Sequence, residues 1–140
     1  MGVVYEAVND AIERRVAIKV LNPDYAKDRE TASRFFDEAR AVNRIEHPSL
    51  VQISDYGQTA EGTAYLVMEF LRGESLGQRI DRVHAAGKRL DVSEVVRIAW
   101  QTADALRAAH EKHIVHRDMK PDNLMLVRDP IAPGGERVKI

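Results

Sequence analysis

The run His113-Ile114-Val115-His116-Arg117-Asp118-Met119-Lys120-Pro121-Asp122-Asn123 constrains this chain more than any other stretch. Pro121 lacks an N–H, fixes its own φ and pushes Lys120 toward extended backbone, so the run reads as a constrained loop rather than a helix interior. Four residues separate Asp118 from Asn123, and a loop of that span can aim both oxygen-bearing side chains at one point. Lys120, two residues past Asp118, can lie on the same side of an extended loop and bring an ammonium there. By itself such a short polar motif also fits a solvated turn after a helix.

The chain of 140 residues has room for one core and little more than one domain. Its formal net charge of −1 supplies no broad basic field for phosphodiesters or anionic lipids, so no nucleic-acid partner and no membrane contact are expected. The absence of cysteine excludes a disulfide scaffold, Cys-ligated zinc and thiol catalysis, and is compatible with a cytoplasmic location. No signal-like start, membrane-length apolar run or internal repeat is visible.

Residues 2–8 and 15–21 are rich in β-formers and flank the polar Asn9-Asp10, which predicts an antiparallel hairpin. The second run contains Val16-Ala17-Ile18-Lys19, where a two-residue period puts Ala17 and Lys19 on one face. A plain strand with a snorkelling lysine would satisfy this run alone. From about Thr31 to Arg44, Phe35, Ala39, Val42 and Ile45 recur at helical spacing, and Glu38 falls inside that stripe. A carboxylate turned toward an apolar interior needs a cation, for which Lys19 on the facing strand is the candidate; a Glu38 at the stripe's edge would reach water instead.

His47-Pro48 stops the helix, and strands follow over residues 52–57 and 63–71, the second apolar enough to be largely buried. Residues 75–86 have helical character and stop at Gly87, which reads as a C-cap. Asp91 and Glu94 have capping-box spacing, with Asp91 as N-cap, ahead of a helix running toward His113 with Val95, Ala99, Thr102, Leu106 and Ala109 along one face. His110 and His113 read as residues favoured by a helix C-terminus rather than metal ligands. Residues 124–127 and 138–140 predict a hairpin around a Pro- and Gly-bearing segment.

Taken together, these motifs resemble the catalytic domain of bacterial Ser/Thr protein kinases. The run from His116 to Asn123 resembles the kinase H-R-D-x-x-x-x-N loop, and residues 16–19 resemble the V-A-I-K strand. The resemblance implies Asp118 as catalytic base, Asn123 as magnesium ligand, and Lys120 as a cation for the moving phosphoryl charge, a lysine typical of the Ser/Thr branch. It implies a Lys19–Glu38 ion pair, with Lys19 reaching the α/β-phosphates. Val4 and Ala17 would roof the adenine, Met125 would floor it, Met68 would be the gatekeeper, and the backbones of Glu69 and Leu71 would address its edge. Gly2 would be the last glycine of a phosphate-covering loop, and His116 would pack structurally. ATP and Mg2+ are the implied cofactors, and a protein presenting Ser or Thr hydroxyls is the implied partner.

The match is partial. Only one glycine of a G-x-G-x-x-G loop is present, and no D-F-G aspartate follows Val138-Lys139-Ile140. The expectation is therefore an α+β, kinase-like chain cut at both ends and inactive alone. Residues 1–71 would hold a small antiparallel N-lobe sheet, its helix and the hinge; residues 72–140 would form the first, mainly helical part of the C-lobe. A small-molecule phosphotransferase, which shares the H-x-D-x-x-x-x-N loop, and a non-catalytic kinase-like scaffold are the alternatives.

Overall fold

The computed structural model describes residues 2–22 and 29–140, with the side chains of residues 29–32, 34 and 38 outside that description. Two compact units are present: Met1–Arg44 with Val51–Phe70, and Ile45–Leu50 with Leu71–Ile140. The stretch Ile45–Leu50, on the first-segment side of a boundary at 71/72, belongs to the second unit: Ile45 and Leu50 bury themselves against Ala105 and Ala109.

The first unit holds strands β1 (Val3–Asn9), β2 (Arg14–Val20), β3 (Ile53–Gln58) and β4 (Ala64–Glu69), and helix α1 (Arg29–Asn43). The sheet order is β1-β2-β4-β3, and every neighbouring pair is antiparallel. The β1–β2 turn is longer than the Asn9-Asp10 pair suggests. Val3 pairs with Val20 and Asn9 with Arg14, so residues 10–13 form the loop, with Glu13 at φ 50°. Asn9 organises it, its carbonyl accepting from the Ile12 N–H and its Oδ1 from the Ala11 N–H. Gly2 enters β1 so close to its neighbour that a Cβ there would stand 2.0 Å from the Val20 carbonyl oxygen, which admits only glycine. Leu21 and Ala64 form the buried centre, with Phe35 and Phe36 of α1 packed against them. In β4 only Ala64 and Leu66 are buried and the rest is half-buried, less covered than its apolar run suggests.

The second unit holds strand β5 (Gly73–Ser75), helices α2 (Leu76–Ala85) and α3 (Val92–His110), and strands β6 (Met125–Arg128) and β7 (Glu136–Lys139), the strands forming a sheet in the order β5-β6-β7. The capping box lies at α2: Ser75 Oγ accepts from the Gln78 N–H while Gln78 Oε1 accepts from the Ser75 N–H. Asp91 caps α3 as expected, accepting from the Ser93 N–H, but Glu94 turns away to bind Arg79. Helix α2 ends with Gly87 at φ 67°; the Gly87 N–H donates to the His84 carbonyl and the Lys88 N–H to the Val83 carbonyl, a Schellman motif.

The face that α3 buries differs from the expected one. Ile98, Gln101, Ala105 and Ala109 are buried, whereas Val95 and Ala99 are exposed. The polar Gln101 masks this face in the sequence, yet its amide is fully employed: Nε2 donates to the Glu136 carbonyl at 3.1 Å, and Oε1 accepts from the Val138 N–H at 3.0 Å. Ile98, Leu124, Leu126 and Val138 pack beside it. Around this core Arg79 binds the carboxylates of Glu74, Glu94 and Glu136 while Arg97 also holds Glu136, so α2, α3, β5 and β7 share one charge network.

Candidate active site

In the second unit, the loop begins where α3 runs out. The N–H groups of Lys112 and Ile114 both donate to the Ala109 carbonyl, and His113 takes φ 59°, a left-handed step that turns the chain off the helix. His110 lies in the last helical turn, where the dipole favours a cation, and among the described residues no cluster of three or more His, Cys, Asp or Glu could hold a metal. A second left-handed residue follows at Arg117, φ 64°, and the Asp118 N–H donates across it to the His116 carbonyl at 2.9 Å. Three-residue turns with positive φ are rare and strained, and this one sets the direction of Asp118. His116 Nδ1 is buried without a hydrogen-bond partner among the described residues.

Pro121 then starts a 3-10 turn over Pro121–Asn123, as a residue with no N–H to satisfy can. The Asn123 N–H donates to the Lys120 carbonyl and the Leu124 N–H to the Pro121 carbonyl, while the Leu124 carbonyl accepts from the Leu76 N–H at 2.8 Å. The turn is thereby tied to the start of α2.

The outcome is a convergence of three side chains. Asn123 Nδ2 donates to the Asp118 carbonyl at 2.7 Å and to Asp118 Oδ2 at 3.0 Å. Lys120 Nζ stands 3.2 Å from the same Oδ2. The Asn123 hydrogen bond first, and Lys120 second, hold the Asp118 carboxyl below its ordinary range, so it is ionised at neutral pH. Both donors engage Oδ2, which leaves Oδ1 as the carboxylate oxygen able to meet an incoming hydroxyl. Because the Asn123 amide must present its NH2 to two acceptors, its own Oδ1 points elsewhere and keeps acceptor capacity, the donor type a magnesium ion takes.

The other expected residues lie in the first unit, apart from Leu71 and Met125 of the second, and β-register fixes most of them. Ala17 lies opposite Met68, Val4 opposite Lys19, and Lys19 opposite Leu66. Lys19 Nζ sits 6.0 Å from the centroid of the Phe35 ring, so its ammonium is directed toward α1. The Glu38 side chain, and with it the expected Lys19–Glu38 ion pair, lies outside the described residues. Glu69 ends β4; its N–H donates to the Gln52 carbonyl and its Oε1 accepts from the Gln52 N–H, which pins the strand end. Leu71 follows the strand, half-buried. Met125, in β6, lies opposite Ser75 and Lys139. Gly2 has a packing requirement of its own, the close approach to Val20.

Sequence reasoning passed over two supports of this site. One is the Leu76–Leu124 bond, a backbone contact that no side-chain pattern announces. The other is the Arg79 network, for which three glutamates far apart in the chain gave no signal.

The protein kinase domain family matches residues 1–140. Serine/threonine-protein kinase PknA of Mycobacterium tuberculosis (strain ATCC 25618 / H37Rv) is 41% identical over 144 residues, covering 100% of this chain and 31% of its own length. Pkn1 of Myxococcus xanthus is 45% identical over 128 residues, 91% of this chain and 18% of its own. The crystal structure of the M. tuberculosis PknI kinase domain superposes with a TM-score of 0.78 at 31% identity, over 100% of this chain and 53% of that one. The chain thus spans under a third of these curated relatives and about half of a solved kinase domain. No described helix is long and apolar enough to cross a membrane. With every residue inside the family match and the α+β architecture of a solved kinase domain reproduced along its length, the chain belongs to the protein kinase domain family.

Proposed function

We propose that this chain carries the proton-accepting loop and much of the nucleotide site of a Ser/Thr protein kinase, which transfers the γ-phosphate of ATP to Ser or Thr hydroxyls of a protein. The observation that carries the reading is the convergence of Asn123 Nδ2 and Lys120 Nζ on one oxygen of Asp118. This arrangement keeps Asp118 ionised and leaves its other oxygen clear of these two donors, as a base for an alcohol requires. Lys120 adds a cation beside the path of the transferred charge.

The residues present fit the family's cofactors, ATP and Mg2+. Asn123 Oδ1 is the oxygen that would hold magnesium, a cation that neutralises charge between β- and γ-phosphates when bound. Lys19 would pair with phosphate oxygens, with Glu38 as its proposed partner. Val4, Ala17 and Met68 would offer apolar surface to the adenine, the backbone of Glu69 would hydrogen-bond its edge, and Gly2 would belong to the phosphate-covering loop. Residues 1–71 and 72–140 then correspond to parts of the two kinase lobes. A location in the cytoplasm belongs to the same proposal.

The test is transfer of radiolabelled phosphate from ATP to a generic basic protein by the complete domain of which residues 1–140 form part. Labelling of Ser and Thr is expected, and Asp118→Asn should lower it by roughly 100- to 10,000-fold, the contribution typical of a positioned base. Labelling of an aminoglycoside or similar small molecule instead would make the chain a small-molecule phosphotransferase. Partner binding with no labelling at all would make it a scaffold.

A further inference from the structure

Helix α1 meets the edge of its sheet through side chains at positions 36, 40 and 43, spacings of four and three that share one helix face. Phe36 packs tilted on Tyr56 of β3, the ring centroids 5.2 Å apart. Arg40 lies over the same ring at 5.2 Å and donates from Nε and Nη2 to the Tyr56 hydroxyl, each at 3.3 Å. Asn43, the last residue of the helix, binds backbone instead. Its Nδ2 donates to the Ile53 carbonyl at 2.7 Å, and its Oδ1 accepts from the Ile53 N–H at 3.2 Å. β3 ends the sheet order β1-β2-β4-β3, so Asn43 pairs with it from the open edge, where a further strand would add. A side-chain amide offers a donor and an acceptor as a peptide does, and Asn43 takes the place of a residue on such a strand.

Two hydrogen bonds to one residue are directional where ring packing is not, and they set both the rotation of α1 and its position along β3. Ile53 pairs in turn with Met68, and Met68 with Ala17, so the end of α1 is keyed to the register that carries Ala17 and Lys19. Elsewhere on α1, Phe35 packs onto Leu21 and Ala64, and the Lys19 ammonium lies 6.0 Å from its ring. Glu38 comes three residues beyond Phe35 on the same helix. A helix that slid or rolled on the sheet would carry both positions away from Lys19. We propose that Asn43 is a positioning residue: it locks α1 to β3 and thereby fixes what stands against the Lys19 ammonium. Only the kinetic part of its test rests on the function proposed above.

The test uses the complete domain of which residues 1–140 form part. Asn43→Ala removes both bonds. Asn43→Asp keeps the shape but sets a carboxylate oxygen against the Ile53 carbonyl, so it should do at least as much damage. Asn43 is exposed, so both variants should keep their fold, which circular dichroism checks. Asn9→Ala, which loosens the β1–β2 turn of the same unit, controls for lost stability. Hydrogen exchange at the Ile53 amide should rise roughly ten-fold or more in both Asn43 variants and not in the control. Carbon NMR of reductively dimethylated lysines gives a second reading: the Lys19 signal, assigned by its loss in Lys19→Arg, should move in the Asn43 variants alone. With ATP and a generic basic protein, well below the melting temperature, kcat should fall roughly ten-fold in the Asn43 variants, with KM for ATP held within about two-fold. The split is expected because the proposed adenine surface comes from strands rather than from α1. An unmoved Lys19 signal or an unchanged Ile53 exchange rate would overturn the proposal. So would an unchanged kcat in an active domain, or a kcat lost equally in Asn9→Ala. A wild-type domain that transfers no phosphate at all would sink the function proposed above and not this anchorage, which the Lys19 signal then decides alone.

Discussion

Replacing Arg79 by methionine keeps most of the side-chain volume and removes the charge at the centre of the second unit's ionic network. Arg79 is one-sixth exposed, at 17%, and its guanidinium binds Glu74, Glu94 and Glu136, themselves 27%, 22% and 19% exposed. Removing one member of a buried ion pair costs about 3–5 kcal/mol, because the remaining charge stays desolvated. Two features lower that figure here: Glu74 keeps Arg82 and Glu136 keeps Arg97. Glu94 loses its guanidinium partner, and the expected loss is about 3 kcal/mol. Urea unfolding followed at Trp100, on α3 in the same unit, measures it. The loss should shrink when Glu94→Gln is already present, since the two side chains couple directly. The pH dependence gives a second reading. Hydrogen bonds from Arg82 and then Arg79 hold the Glu74 carboxyl down at about 2, against an ordinary 4.5. A carboxyl depressed by folding stabilises the native state above its unfolded pKa, and this contribution falls away as the pH drops from about 4.5 toward 2. Arg79→Met should flatten that fall without abolishing it, because Arg82 remains. A loss below about 1 kcal/mol, or any gain, would refute the reasoning and place the network among ion pairs whose desolvation cancels their attraction.

Gln101→Leu should strand the Val138 N–H inside the core, while the Glu136 carbonyl keeps Arg97 Nη1 at 3.2 Å, costing about 1–3 kcal/mol and speeding hydrogen exchange at the Val138 amide. Ser75→Ala opens the capping box of α2 and should cost about 1 kcal/mol in thermal or urea unfolding. Asn123→Ala removes the leading cause of Asp118's depressed pKa, so the carboxyl midpoint followed by carbon NMR should move up, and an unmoved midpoint would contradict the proposed convergence.

Strand positions were the most legible part of this chain. The V-A-I-K run lies in β2, and the two-residue period that put Ala17 and Lys19 together matches their register against Met68 and Leu66. The loop from 113 to 123 was legible too, because Pro121 forbids the alternatives and Asp118, Lys120 and Asn123 are close in sequence. Errors arose where a polar side chain does buried work. Gln101 looks like a surface residue, so the buried face of α3 was displaced from the expected one. The Asp91–Glu94 spacing suggested a capping box, but Arg79 outcompetes the Asp91 N–H for Glu94, and the reciprocal cap formed at Ser75 and Gln78 instead. Such choices depend on partners tens of residues away, which local spacing cannot weigh.

Arg117, at φ 64° immediately before Asp118, has a further consequence. A non-glycine residue in that region costs on the order of 1–3 kcal/mol, so residues 113–123 do not adopt this shape by their own preference. A synthetic peptide of that sequence should populate it rarely, and grafting the loop onto another scaffold would transfer the letters without the geometry. What holds Asp118 in place is the anchorage at either end, the Ala109 carbonyl before it and the Leu76 N–H after it. Glycine at 117 would relax the backbone and should raise the loop's local stability while letting the carboxylate wander, so a more stable loop would be a less accurate one.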